Sequence, residues 1–157
     1  GGPHAAALAP ALADLGCKVE VASEELGIAS AIKMCRSVIV KGMEAIVIES
    51  FTAARRYGVE KQVLASLAET FPGMDWERNG DYFFSRVIQH GKRRAEEMRE
   101  AASTVREAGL TPTMTAPIAD KHEWMATLAR DGVFDGVGAD APWQDYADRL
   151  LKIKPAS

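Results

Sequence analysis

Between Leu26 and Tyr57 the chain runs without a proline, and Gly58 stands where such a run would stop. Ser23-Glu24-Glu25 precedes it, a hydroxyl cap followed by acidic residues at the positive end of a helix. These signals predict a single helix of ~31 residues, roughly 46 Å long at 1.5 Å per residue. Its apolar side chains point in nearly every direction: Ile28, Ile32, Met34, Val38, Ile39, Val40, Met43, Ile46, Val47, Ile48 and Phe51. A helix apolar on most faces is buried by neighbours on most sides. The expectation is a mainly α domain with this helix as its central spine.

The rest of the chain supplies neighbours. Glu60–Thr70 reads as a short amphipathic helix closed by Phe71-Pro72-Gly73. Asp81 is placed to cap a helix from Tyr82 towards His90, with Gly91 as a break or kink and Lys92–Ala108 as a charged continuation. Thr115 or Ala116 precedes Pro117, a first-turn proline for a helix reaching about Arg130. Val133–Ala141 reads as a Gly- and Asp-rich loop, and Pro142–Lys152 as a final helix. Composition agrees: 47% hydrophobic residues supply a core, and 7% aromatics with abundant Ala suit packed helices better than a β-sandwich.

The first residues break this pattern. Ala5, Leu8, Ala11, Leu12 and Leu15 recur at helical spacing up to Gly16, and Cys17-Lys18-Val19-Glu20-Val21 then alternates like a strand. One helix and one strand cannot bury both faces of a sheet. Residues 1–25 are therefore expected to be the last αβ unit of a sheet lying upstream, and residues 26–157 a separate helical domain.

Several function classes are disfavoured. A net charge of -3 with interleaved signs does not suit nucleic acid. Lys33, Arg36, Lys41, Glu44 and Glu49 interrupt the longest apolar stretch, so no membrane span is expected. Cys17 and Cys35 lack CxxC spacing, which predicts no metal site, no disulfide framework and a reducing cytoplasm. The glycines Gly132, Gly136 and Gly138 lack the strand–helix context of a dinucleotide fingerprint.

The spine also carries a polar stripe. Lys33, Arg36, Ser37, Lys41 and Glu44 share an arc of roughly 140°. One reading is a solvated face with Lys41 and Glu44 paired at i,i+3. The other is a cleft in which Lys33 moves protons, its pKa lowered by Arg36 and by the apolar flanks Ile32 and Val40. His90 reads more as a helix-end residue than a catalyst. Trp76, Tyr82, Phe83 and Phe84 read as core or dimer-contact aromatics.

Gly1-Gly2, a helix, a short strand and then Gly27-x-x-x-x-x-Lys33-Met34-x-Arg36-Ser37 together resemble the β-hydroxyacid dehydrogenase family. That family includes 3-hydroxyisobutyrate dehydrogenase and 6-phosphogluconate dehydrogenase, with Lys-x-x-x-Asn on this helix. Lys41-Gly42-x-Glu44-Ala45 and His90-Gly91-x-Arg93-Arg94-Ala95-x-Glu97-Met98 extend the likeness to a subgroup whose C-terminal domain has an uncharacterised substrate. The resemblance covers most of residues 1–128.

It implies a helical domain like the C-terminal domain of 6-phosphogluconate dehydrogenase, preceded by a Rossmann remnant. It also implies Lys33 as the catalytic acid/base, with Ser37, in place of Asn, and Arg36 orienting a small hydroxyacid. Gly27 lies at the cofactor side. NAD or NADP would be held mainly by an N-terminal Rossmann domain, and a homodimer would form through the helices. The family's Lys-Asp motif on a later helix is not reproduced cleanly. Arg93 and Arg94 stand there, and their guanidinium forks suit a carboxylate or phosphate. Two competing readings need no cofactor: a helical association module, and an acidic-ligand module centred on Arg93 and Arg94.

Overall fold

The computed structural model describes residues 1–153 and folds them into six helices. They are α1 (Ala5–Asp14), α2 (Ile28–Tyr57), α3 (Glu60–Thr70), α4 (Trp76–Glu107), α5 (Thr115–Arg130) and α6 (Trp143–Leu150). The long helix expected from the proline-free stretch is α2. Glycines in the left-handed region bound it, Gly27 at φ 90° and Gly58 at φ 68°. At both positions a side chain would strain the backbone.

Helix α2 departs from the expectation in one respect. It is not enclosed on most sides. One face carries Ile32, Ile39 and Ile46, spaced seven apart and exposed, Ile39 at 66%. The other face packs against α4 and α5, which also form the most extensive helix pair in the bundle.

Helix α4 absorbs two expected helices into one. It starts at Trp76, capped by Asp75, whose carboxylate accepts from the Arg78 amide at 3.0 Å. It passes through a kink at His90 (φ -131°, ψ 15°) and continues to Glu107. Asp81, expected as the cap, instead accepts from the Trp143 amide at 2.7 Å. It thus satisfies the first free N–H of α6, a helix whose preceding Pro142 offers no side-chain acceptor.

The main core joins Val47, Ile48 and Phe51 of α2 to Phe84 and Val87 of α4, Met125 of α5, and Trp143 and Tyr146 of α6. Trp143 is fully buried, its ring 4.9 Å from that of Phe51. Gly80 makes room for it, since a Cβ there would stand 2.8 Å from Trp143 Cδ1. Trp76, Phe83 and Phe84 are core aromatics as expected, whereas Tyr82 is exposed. Arg55, near the end of α2, binds both carboxylate oxygens of Asp148 in α6 (2.9 and 3.0 Å) and Glu60 Oε1 of α3 (2.7 Å). That fork pins three elements together and holds the Asp148 carboxyl below its usual range.

No strand forms among the described residues. Cys17–Val21 is exposed and irregular, although its side chains alternate as expected. A strand needs a partner for its backbone N–H and C=O groups, and no neighbouring strand is present to pair with it. Helix α1 forms but buries none of its residues.

Candidate functional site

The polar stripe of α2 divides along its length. Lys33 and Arg36, in the first turns, are exposed, whereas Ser37, Lys41 and Glu44 are buried. The solvated-face reading therefore holds only for the N-terminal end. The expected Lys41–Glu44 pair gives way to partners on α4. Lys41 Nζ lies 2.9 Å from Glu97 Oε2, and Arg94 meets Glu44 Oε1 at 3.1 Å. Helix α4 presents Arg93, Arg94 and Glu97 within a little over one turn, so two of them reach the stripe together.

A third element completes the buried part. His122 of α5 is fully buried, and its Nε2 lies 3.1 Å from the backbone carbonyl of Lys41. A carbonyl only accepts, so Nε2 carries the proton and donates. Burial pushes the His122 pKa down to about 4, partly opposed by this hydrogen bond, so the ring is neutral at physiological pH. Glu44 Oε2 lies 3.9 Å from the same nitrogen. Burial raises the Glu44 pKa, against the pull of Arg94 and Lys41.

Glycine makes this approach possible. Gly91, just after the kink, is buried where α4 crosses α5, and a Cβ there would stand 2.8 Å from the His122 carbonyl oxygen. Gly42 on α2 faces Ile118 of α5 at 3.2 Å by the same construction.

The expected site residues thus fall into two sets. Lys33, Arg36 and Arg93 are exposed, and Ser37 lies one turn beyond Lys33, buried, near Lys41 Nζ at 3.4 Å. Arg93 lies loosely beside Glu97, 3.7 Å away, and lines an open groove of about 560 Å³ with His90, Lys92, Glu96 and Arg130. Arg94 is turned inward, where its guanidinium meets the carboxylate of Glu44. Gly27 sits at the N-terminus of α2 with open space around it.

Glu97 and His122 were not singled out from sequence as site residues. Glu97 is a local partner of Arg93 on α4 and also reaches Lys41 across to α2. The pattern Ile118, Ala119, His122, Met125 places His122 on the apolar face of α5. That pattern signals a buried histidine but not its partner.

The described residues supply no strand–glycine–helix unit and so do not by themselves fit a dinucleotide. What they offer is the open N-terminal end of α2 with its cations. No helix among the described residues is long and apolar enough to cross a membrane.

Comparison with known proteins places the chain. Residues 54–125 match the family described as "Domain of unknown function (DUF1932)". A conserved hypothetical protein from Sinorhizobium meliloti 1021 has a crystal structure that matches 96% of this chain and 50% of its own, with TM-score 0.84 and 36% identity. The conserved protein MTH1747 matches over 78% of this chain and 48% of its own, with TM-score 0.64 and 34% identity. Its function is unknown, and its structure was reported to be similar to 3-hydroxyacid dehydrogenases. An uncharacterized 28.5 kDa protein of Methanothermus fervidus is 33% identical over 106 residues, 66% of this chain and 41% of that protein. The chain thus spans half or less of the length of each of these relatives. Its residues 54–125 are similar to the DUF1932 domain, within a helical fold like that of MTH1747, which was reported to be similar to 3-hydroxyacid dehydrogenases.

Proposed function

We propose that this chain is the substrate- and proton-handling part of an NAD(P)-dependent oxidoreductase acting on a small hydroxyacid, with Lys33 as general acid/base. Residues 26–157 form the substrate and dimerisation domain, and residues 1–25 belong to a Rossmann domain that lies upstream. The nicotinamide, held mainly by that upstream domain, supplies hydride chemistry when bound. The residues of this chain handle the proton and the carboxylate. Lys33 Nζ takes the proton of the substrate hydroxyl, or returns it in the reverse direction. Arg36, Ser37 and Arg93 orient the substrate, and Arg94 acts from behind by holding Glu44.

The observation that carries this reading is the placement of Lys33. It stands on the open first turns of α2 at the end of a buried ionic network, in a chain similar to MTH1747. Closure of an upstream domain over that end would shield Lys33 and the substrate from water. In a reducing compartment such as the cytoplasm the exposed Cys17 and Cys35 stay as thiols.

The test is to express the segment with its native upstream region and follow nicotinamide absorbance over a panel of small hydroxyacids. Lys33→Ala is expected to lower kcat by about 10²–10⁴-fold, the usual worth of a positioned acid/base, with cofactor binding retained. Turnover unaffected by Lys33→Ala would remove Lys33 from the mechanism. Failure of any hydroxyacid to turn over, with no cofactor bound, would leave the association module as the better account. The exposed isoleucine line on α2 favours that second reading, and the two readings meet in a homodimer.

A further inference from the structure

The cations that face a ligand at the open end of the network are already matched from within the chain. Glu97 is the group that matches them. Its Oε2 lies 2.9 Å from Lys41 Nζ, and its Oε1 lies 3.7 Å from Arg93 Nε. Burial opposes ionisation of Glu97. The hydrogen bond from Lys41 and the charges of Lys41, Arg93 and Lys33 outweigh it and hold the carboxyl below its usual range. One carboxylate therefore sits in the field of three cations, one of them the proposed acid/base.

The two ion pairs of the network behave differently here. Glu44 and Arg94 are enclosed and cannot exchange partners without exposing a charge to the core. The Glu97 side chain remains 21% exposed. Arg93 is 67% exposed, so a solute reaches it directly. The stem of Lys41 is buried and its ammonium is steadied by Ser37 Oγ at 3.4 Å. If Glu97 swings out, Lys41 still points at the same place.

We propose that Lys41 and Arg93 form a carboxylate subsite gated by Glu97, whose own carboxylate fills it until a small carboxylate-bearing ligand displaces it. This rests on reading the open α2–α4 face as the ligand site. Displacement exchanges one carboxylate for another, so no cation is left buried and unpaired. Because the incoming carboxylate pairs with the same cations, the exchange costs only the difference between the two pairs. The internal carboxylate competes at the effective concentration of a tethered group, so the apparent affinity for ligand falls by the fraction of time the gate stands open. A neutral ligand gains nothing from displacing it.

The test measures binding of D-glycerate to the 157-residue chain by calorimetry, with glycerol as the neutral comparison. Glu97→Gln is expected to bind glycerate about tenfold more tightly than wild type, as for a gate closed nine-tenths of the time. Glu96→Gln, which removes the same charge from the neighbouring position, is expected to match wild type. Adding Lys41→Met to Glu97→Gln is expected to abolish the gain, and glycerol is expected not to bind.

A Glu97→Gln affinity no higher than that of Glu96→Gln, or no glycerate binding to either, overturns the gate. A second measurement needs no variant. The carboxyl-carbon NMR titration of Glu97 in the wild-type chain is expected to move up towards the ordinary glutamate range when glycerate saturates. An unmoved titration overturns the proposal even if Glu97→Gln fails to fold. Gated binding without any hydroxyacid turnover would sink the dehydrogenase reading and keep this one. Turnover with an unmoved Glu97 would do the reverse.

Discussion

Glu44 and Arg94 sit 3.1 Å apart with 1% and 7% of their side chains exposed. Removing one partner strands the other charge in the core. Glu44→Ala is expected to cost about 3–5 kcal/mol in urea unfolding, and Glu44→Met combined with Arg94→Met far less. His122 gives a pH signature. Its folded pKa of about 4 lies below the ordinary value of 6.5, so the unfolded chain binds more protons between those limits. The stability it contributes is complete above about pH 6.5 and is lost as pH falls towards 4. Glu44, with its pKa raised, pulls the other way. The prediction is therefore a difference: His122→Gln is expected to flatten the acid-side loss between pH 7 and pH 4.5 relative to wild type. A wild-type slope in that variant would show that folding does not depress the His122 pKa. At this scale the sequence revealed the stripe but not its partners. Lys33 to Glu44 follow from helical periodicity alone. The Arg94 and His122 contacts join residues dozens of positions apart, and periodicity carries no such information.

At the scale of elements, α4 and α5 approach so closely that a glycine stands between them. Gly91→Ala would place a Cβ 2.8 Å from the His122 carbonyl oxygen and 3.1 Å from Ala126 Cβ. Backbone cannot yield as a side-chain tip can. The substitution is expected to lower stability by about 1–3 kcal/mol, read as a drop in Tm, and to shift the His122 ring resonances. The same glycine explains why the end of the first helical run was legible and its fate was not. His90-Gly91 carries the signal of a break, and the backbone does leave helical geometry there. The chain resumes the helix because Met98, Ala101 and Ala102 are buried beyond the kink. Asp81 was misplaced for a related reason. A carboxylate near a helix start looks like that helix's cap, and nothing local reveals that it serves α6. The alternating segment at Cys17–Val21 has a strand's pattern without a strand's partner, and pattern alone does not make a ladder.

At the scale of the molecule, two surfaces look outward. Helix α1 has ten residues, a proline at position 10, and no buried side chain. A helix this short is marginal without packing. Its amides are expected to exchange with solvent close to free-peptide rates in this chain, while those of α2 around Ile48 are strongly protected. Protection of α1 that appears only with the upstream region present would identify that region as its support. On α2, Ile32, Ile39 and Ile46 form a line suited to a second copy. Ile39→Glu is expected to shift a dimer to monomer in sedimentation velocity with helicity unchanged. A wild-type chain that is already monomeric at high concentration would remove this face from consideration.

Trp143 has one more consequence. The residue that fills the aromatic centre of the bundle is synthesised after α2 to α5, and its amide is held by Asp81, made 62 residues earlier. While the ribosome still holds Trp143, Phe51 and Phe84 have no ring to pack against. Helices α2 to α5 therefore emerge without their aromatic centre, and the bundle closes only once α6 has followed them. Helper proteins that bind exposed aromatic surface have their window on this protein in that interval, before α6 docks.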